Sequence, residues 1–283
     1  MTKSLMNCGQ KKPLIISVAS GKGGVGKTVT TVNLALAARR MGFKTLLLDG
    51  DFGLANVDIV LGLKARYTIQ DVLEGAVEIE DTLLDGPMGL KIIPSGSGFA
   101  NLADLKLTQR IRLLDKITEV AAAYDVLFID TGAGISESVL HLNSVSDAIM
   151  LVTTPEPHAM TDAYAFIKVM VEKFGHKKIS LIANRTVSDQ QGYKVFQNLS
   201  DVAKRFLDFN LGFAGAVPND PVVGRSVMMQ RAGDEQVKHT ICGQAWNEIA
   251  RKTIETLAAA PESSSGRGLS DLLFPNYGAL RAL

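Results

Sequence analysis

The sequence predicts an α/β fold, a doubly wound and mostly parallel sheet with helices on both faces. Three observations lead there. Short continuous apolar runs, the mark of strands buried on both sides, recur along the chain and alternate with segments of helical period. The first run leads straight into a glycine-rich loop, Ser20-Gly21-Lys22-Gly23-Gly24-Val25-Gly26-Lys27-Thr28, and a helix pattern follows it. Acids and glycines gather just beyond later runs, at the strand ends where open α/β sheets bind ligands. Parallel neighbours need crossover helices, so this alternation argues for a parallel sheet.

In chain order, Leu14 to Ala19 is the first buried strand, and Val32, Leu34, Ala35, Leu36 and Ala38 keep a helical stripe from Thr28 to Met41, stopped by Gly42. Thr45 to Leu48 is the next strand and ends in Asp49-Gly50-Asp51. A helix from Thr68 to Glu74, a short strand from Leu90 to Ile93 and a helix near Leu105 to Ala123 follow. Tyr124 to Asp130 is a third buried strand with a carboxylate at its end, and glycines at 132 and 134 let the backbone approach a ligand. Ala148 to Val152, Ile179 to Ala183 and Phe213 to Val217 complete the strand set. Ala159 to Phe174 and Trp246 to Leu257 read as helices.

The 283 residues suffice for one large domain. Residues 1–12 read as a loose arm, 13–260 as that domain, and 261–283 as a flexible linker with an apolar tail. The 30 lysines and arginines against 29 acids leave a net charge of +1, too little to draw nucleic acid or an anionic membrane to the molecule as a whole. Cys8 and Cys242 form no CxxC pair or Cys/His cluster, so an iron–sulfur cluster or structural zinc is not expected. His141, His158, His176 and His239 lack metal-ligand spacing, and Met228 and Met229 read as core. No apolar run approaches the roughly 20 residues that span a bilayer.

Gly21, Gly26, Lys27 and Thr28 fit G-x-x-x-x-G-K-[ST]. In that spacing backbone N–H groups surround phosphate oxygens, an ammonium reaches the β/γ-phosphates and a hydroxyl meets Mg²⁺. A helix start near Thr28 adds its dipole. Asp51 and Asp130 stand at strand ends on the edge of the loop, where they suit work on a metal ion and water; capping a turn is the plainer role for each. Lys22 occupies a position the motif leaves free, and on its own reads equally as a solvated lysine.

Lys22-Gly23-Gly24-Val25-Gly26-Lys27-Thr28 resembles the deviant Walker A loop of the ParA/MinD class of P-loop ATPases. The resemblance spans roughly residues 13 to 255. It implies ATP and Mg²⁺ as cofactors, an ATP-dependent homodimer, and a Lys22 that reaches the partner's phosphates as an arginine finger would. It further implies that Asp130 is the Walker B carboxylate, that Asp51 is the switch aspartate positioning the attacking water, and that Asp49 supports them. Asn184 matches the adenine-reading asparagine, with Pro218, Asn219 and Asp220 beside the base, and Glu156 is a weaker candidate.

Asp49 to Gly62 and Asp130 to Ile135 are similar to the flagellar-number regulators FlhG and FleN. Partition ATPases usually carry proline and glutamine where Phe52 and Gly53 stand, and MinD proteins carry Ser-Pro-Ala-Gly after the Walker B aspartate. The flagellar resemblance implies a cytoplasmic ATPase switch that governs flagellar number or placement through an FlhF-like GTPase and a transcriptional activator, without nucleic acid. A MinD-type division role and a ParA-type partition role are the alternatives. Two departures stand out: the arm has nothing like the Asp-Gln-Ala-type docking segment of many FlhG proteins, and Pro275 interrupts the tail. Proline inside a helix costs about 3 kcal/mol, so a continuous helix from Leu269 to Leu283 is not expected, and packing of the tail on its own domain or on a dimer partner competes with a peripheral membrane contact.

Overall fold

In the computed structural model, which describes residues 12–53, 55–96, 107–175 and 178–259, the apolar runs are strands buried on both faces. The strands are β1 (Leu14–Ser20), β2 (Thr45–Gly50), β3 (Leu84–Asp85), β4 (Lys91–Ile93), β5 (Val126–Ala133), β6 (Ala148–Thr153), β7 (Ile179–Thr186) and β8 (Gly212–Pro218). They form one sheet in the order β3-β4-β2-β5-β1-β6-β7-β8. Every neighbouring pair is parallel except β3 with β4, where the short edge strand runs antiparallel. The expected arm apart from Lys12, the expected tail, and His176, Lys177 and Cys8 lie outside the described residues.

The helices are α1 (Lys27–Arg40), α2 (Val57–Leu61), α3 (Ile69–Leu73), α4 (Leu107–Ala121), α5 (Glu137–Ser144), α6 (Pro157–Phe174), α7 (Asp189–Leu207), α8 (Pro221–Met228), α9 (Glu235–Lys238) and α10 (Ile241–Ala259). Strand residues alternate between two cores, as the two-residue period requires. Ile16, Val18, Leu47 and Phe128 pack with Leu34, Ala38, Trp246 and Ile249 beneath α1 and α10. Leu46, Leu48, Leu127 and Ile129 turn the other way, onto Leu113, Leu114 and Ile117 of α4. Farther along that second face, Ile149, Leu151 and Leu181 meet Phe166 and Met170 of α6 and Val195 and Leu199 of α7. A strand sandwiched this way has no polar side to show, hence the unbroken apolar runs.

Several elements differ from expectation. β7 continues to Thr186 because its last residues pair with β8, Asn184 opposite Val217 and Thr186 opposite Pro218. The last helix starts at Ile241, where the Thr240 hydroxyl accepts the N–H of Gly243 at 3.0 Å. Helix α7 was not anticipated; within it Gly192 stands where a Cβ would lie 2.4 Å from Ala216 Cβ, so glycine lets helix and strand touch. Met228 and Met229 are not core; they are 86% and 66% exposed at the end of α8. Among the described residues no helix is long and apolar enough to cross a membrane.

Candidate functional site

The glycine loop turns from the C-terminal end of β1, at the centre of the sheet, into α1. Gly24 and Gly26 take left-handed conformations, φ +81° and +90°, which glycine adopts without steric penalty. Gly26 also faces the Asn184 side chain closely: a Cβ there would lie 2.4 Å from Asn184 Nδ2. That amide donates to the Val25 carbonyl at 2.7 Å, so the end of β7 grips the loop. Gly21 serves a different contact, since a Cβ on it would meet the Asp162 backbone of α6 at 2.2 Å. On the other flank the Gly134 N–H donates to the Ser20 carbonyl at 2.8 Å, tying the segment after β5 to the loop.

The first turn of α1 carries no acidic residue and opens its N–H groups toward a cleft of about 510 Å³. Gly23, Gly24, Gly26, Lys27 and Thr28 line that cleft with Asp51, Phe52, Asn56, Gly132, Ser136, Ser138 and Arg185. Lys27 is 8% exposed and its Nζ lies 2.9 Å from Asp130 Oδ1. The Thr31 hydroxyl donates to that same oxygen at 2.7 Å. Asp130 Oδ2 is buried without a hydrogen-bond partner. A buried carboxylate oxygen left open beside an ammonium, a threonine hydroxyl and a helix N-terminus fits a phosphate chain with its divalent cation.

No group of three or more His, Cys, Asp or Glu among the described residues could hold a metal by itself. Mg²⁺ suits such a place, because it binds through one or two protein ligands and completes its shell with waters and substrate phosphates. Of the expected metal ligands, Thr28 and Asp51 border the cleft and Asp130 lies beneath it. The Asp51 carboxylate sits close to Gly132, whose added Cβ would stand 3.6 Å from Oδ1.

Asp49 lies opposite Asp130 in the β2–β5 register and is 1% exposed. Its carboxylate accepts the N–H groups of Asp51 at 3.1 Å, Asn56 at 3.0 Å and Val57 at 3.1 Å. One side chain thus holds both ends of the loop from Asp51 to the start of α2. Burial pushes its carboxyl up to about 7, the Asp130 charge adds to that, and the three N–H donors oppose it.

Other expected residues stand farther off. Lys22 does not line the cleft of its own chain; it is 44% exposed, with Nζ 3.7 Å from the 64%-exposed carboxylate of Glu156. Asn184 is buried behind the loop, and Val25 is buried beneath it. Pro218 is half-buried one strand away, its carbonyl accepting the Cys242 thiol at 3.0 Å. Burial pushes that thiol up to about 12, which keeps it an inert S–H. Sequence reasoning missed Arg185, which lines the cleft from a left-handed position, φ 55°, at an irregularity in the β7–β8 pairing. Its signal was its place directly after Asn184, hidden because the strand was ended at Ala183.

Residues 14–182 match the family model described as an AAA domain. The chain is 40% identical over 238 residues to the antiactivator FleN of Pseudomonas aeruginosa, covering 84% of this chain and 85% of that protein. It is 32% identical over 246 residues to the flagellum site-determining protein YlxH of Helicobacter pylori, covering 86% and 82%. Among solved structures, the MinD cell division protein of Aquifex aeolicus superposes with a TM-score of 0.69 at 27% identity, covering 86% of this chain and 97% of that one. The septum site-determining protein MinD of Pyrococcus horikoshii, in complex with Mg-ADP, gives 0.70 at 25% identity, covering 88% and 100%.

Proposed function

The chain belongs to the AAA-domain ATPases of the MinD/ParA class, alongside the flagellar regulators FleN and YlxH/FlhG, and is an ATPase that uses ATP with Mg²⁺; from that premise we propose that it is a dimerisation switch controlling flagellar number or placement. On this reading the backbone from Gly23 to Thr28 cradles the phosphates. Lys27, held on Asp130, is the residue that would take the β- and γ-phosphates, and Asp130 would then be available to the metal. The Thr28 hydroxyl, Asp130 and Asp51 are the residues that would hold Mg²⁺, and when bound the ion supplies neutralisation of the charge that develops on the transferring phosphoryl group. Asp51 would also orient the attacking water; Asn184 would reach the base only by releasing the Val25 carbonyl, with Pro218 beside it.

The observation that carries the switch is the placement of Lys22. A lysine of the loop that does not line its own cleft, exposed and held by one long surface ion pair, contributes little to its own site. It is available to a second copy, whose transition state it would stabilise in trans. The output is a nucleotide-dependent surface read by protein partners, an FlhF-like GTPase and a transcriptional activator among them. The name antiactivator carried by the FleN relative supports the second of these.

The test is light scattering with saturating Mg·ATP. Asp51→Ala should bind ATP, hydrolyse it at least 100-fold more slowly and accumulate as dimer. Lys22→Gln should bind ATP and remain monomeric. An Asp51→Ala protein that stays monomeric, or a Lys22→Gln protein that dimerises and hydrolyses normally, would refute the switch.

A further inference from the structure

Met228 and Met229 present an apolar surface that the fold does not use. They are 86% and 66% exposed on a hydrogen-bonded helix end: the Met229 N–H donates to the Arg225 carbonyl at 3.0 Å, Gln230 to Val227 at 3.0 Å and Arg231 to Ser226 at 2.7 Å. Just beyond, the buried Ala232 donates to the Val60 carbonyl at 2.9 Å and accepts the Asn33 amide at 3.1 Å, so the turn is clamped to α2 and α1. These bonds fix the helix end with both methionines on its outer side. Ile59, 50% exposed, stands on the adjoining α2, whose terminal Gly62 packs against Gln230.

Charge says what would cover this surface. Arg225 precedes Met228 and Met229 by three and four residues, which places it on their side of α8, and Arg231 follows two residues later. Both arginines are exposed, and among the described residues neither has a carboxylate within ion-pair distance. A second copy docking this patch on itself would set these guanidinium groups against their own symmetry mates. A membrane is a poor match, because an eight-residue helix ending at Met228, with Met229 as its C-cap, gives too short an apolar face to insert.

We propose that the C-terminal turn of α8 docks an amphipathic helix of a partner protein, with acidic residues flanking its apolar stripe. Methionine suits that task, since its unbranched, polarizable side chain adapts to the knobs of an incoming helix, while the arginines fix orientation through carboxylates. This assignment does not depend on the nucleotide switch.

The probe is a labelled synthetic helix of about 18 residues, with leucines at i, i+3, i+4 and i+7 and flanking glutamates, titrated with the full chain by fluorescence anisotropy. The double variant Met228→Glu/Met229→Glu should weaken binding at least tenfold. Arg225→Glu/Arg231→Glu should weaken it similarly and bind a lysine-flanked version of the peptide instead. ATP hydrolysis should be unchanged in both, which also shows that they fold. Failure of the glutamate peptide to bind, or binding indifferent to both double variants, would overturn the proposal. So would methionine variants whose defect appears in sedimentation with phosphatidylglycerol vesicles or in the dimer fraction while peptide binding is retained.

Discussion

Substituting alanine for Gly26 tests how the loop is built. Gly26 sits at φ +90°, where an L-residue suffers roughly 1–2 kcal/mol of steric cost. The new methyl carbon would also fall 2.4 Å from Asn184 Nδ2, so the amide must swing aside and lose its 2.7 Å bond to the Val25 carbonyl, worth about 1 kcal/mol net. With imperfect repacking the whole effect is about 2–4 kcal/mol. Urea unfolding of the nucleotide-free protein measures it, in a cycle of Gly26→Ala, Asn184→Ala and the double variant. Removing the amide removes the clash, so Gly26→Ala should cost only about 1–2 kcal/mol in the Asn184→Ala background, a coupling of about 1–2 kcal/mol. If Gly26→Ala costs the same in both backgrounds, the contact between loop and β7 is not what constrains position 26.

The remaining expectations are briefer. The Asp49 carboxyl lies above its ordinary value of 3.8, at about 7, so the folded chain holds this proton more tightly than the unfolded one. Stability should be fullest below the ordinary value, fall as pH rises from about 4 to about 7, and level off above, a loss on the order of 4 kcal/mol from this group. Asp49→Asn should flatten that part of the curve, and identical slopes for variant and parent between pH 5 and 7 in urea titrations would contradict it. Lys27→Ala should lower the affinity for a fluorescent ATP analogue by at least 100-fold, about 3 kcal/mol, measured by equilibrium titration. Chelating Mg²⁺ with EDTA should stop phosphate release without unfolding the protein, as followed by malachite green and circular dichroism. Gly21→Ala should cost 3 kcal/mol or more, because its methyl would meet backbone atoms of Asp162, which cannot rotate away; a melting temperature lowered by less than about 2 °C would argue against that contact.

Much of this was legible from local chemistry. The runs at Leu14, Thr45 and Tyr124 announce the three central strands because burial on both faces leaves no polar alternation to confuse the reading. The loop was legible because glycine, lysine and threonine at fixed offsets express backbone geometry directly. What stayed hidden depends on pairing across the fold. The place of Gly192 in α7 is explained only by Ala216, which lies against it from β8. β3 is two residues long and exists only by its antiparallel bonds to β4. Arg185 enters the cleft through an irregularity in strand register that one-dimensional pattern cannot express. Met228 and Met229 fooled the reading in the opposite direction, since methionine is hydrophobic enough for a core and adaptable enough for a docking surface.

The loop's attachments carry a thermodynamic consequence. Asn184 holds Val25, Gly134 holds Ser20, and α6 packs into the space that Gly21 leaves, so three separate segments immobilise the cradle before any ligand arrives. Fixing a residue's backbone costs roughly 1–2 kcal/mol of conformational entropy, and here that cost falls on folding, not on association. The segment from Asp51 to Asn56 is tied in another way: the buried Asp49 carboxylate accepts N–H groups at both of its ends, and the Ser95 hydroxyl donates to the Asp51 carbonyl at 3.3 Å. Because the cradle is ordered when the chain folds, nucleotide affinity is not reduced by the cost of ordering it on association.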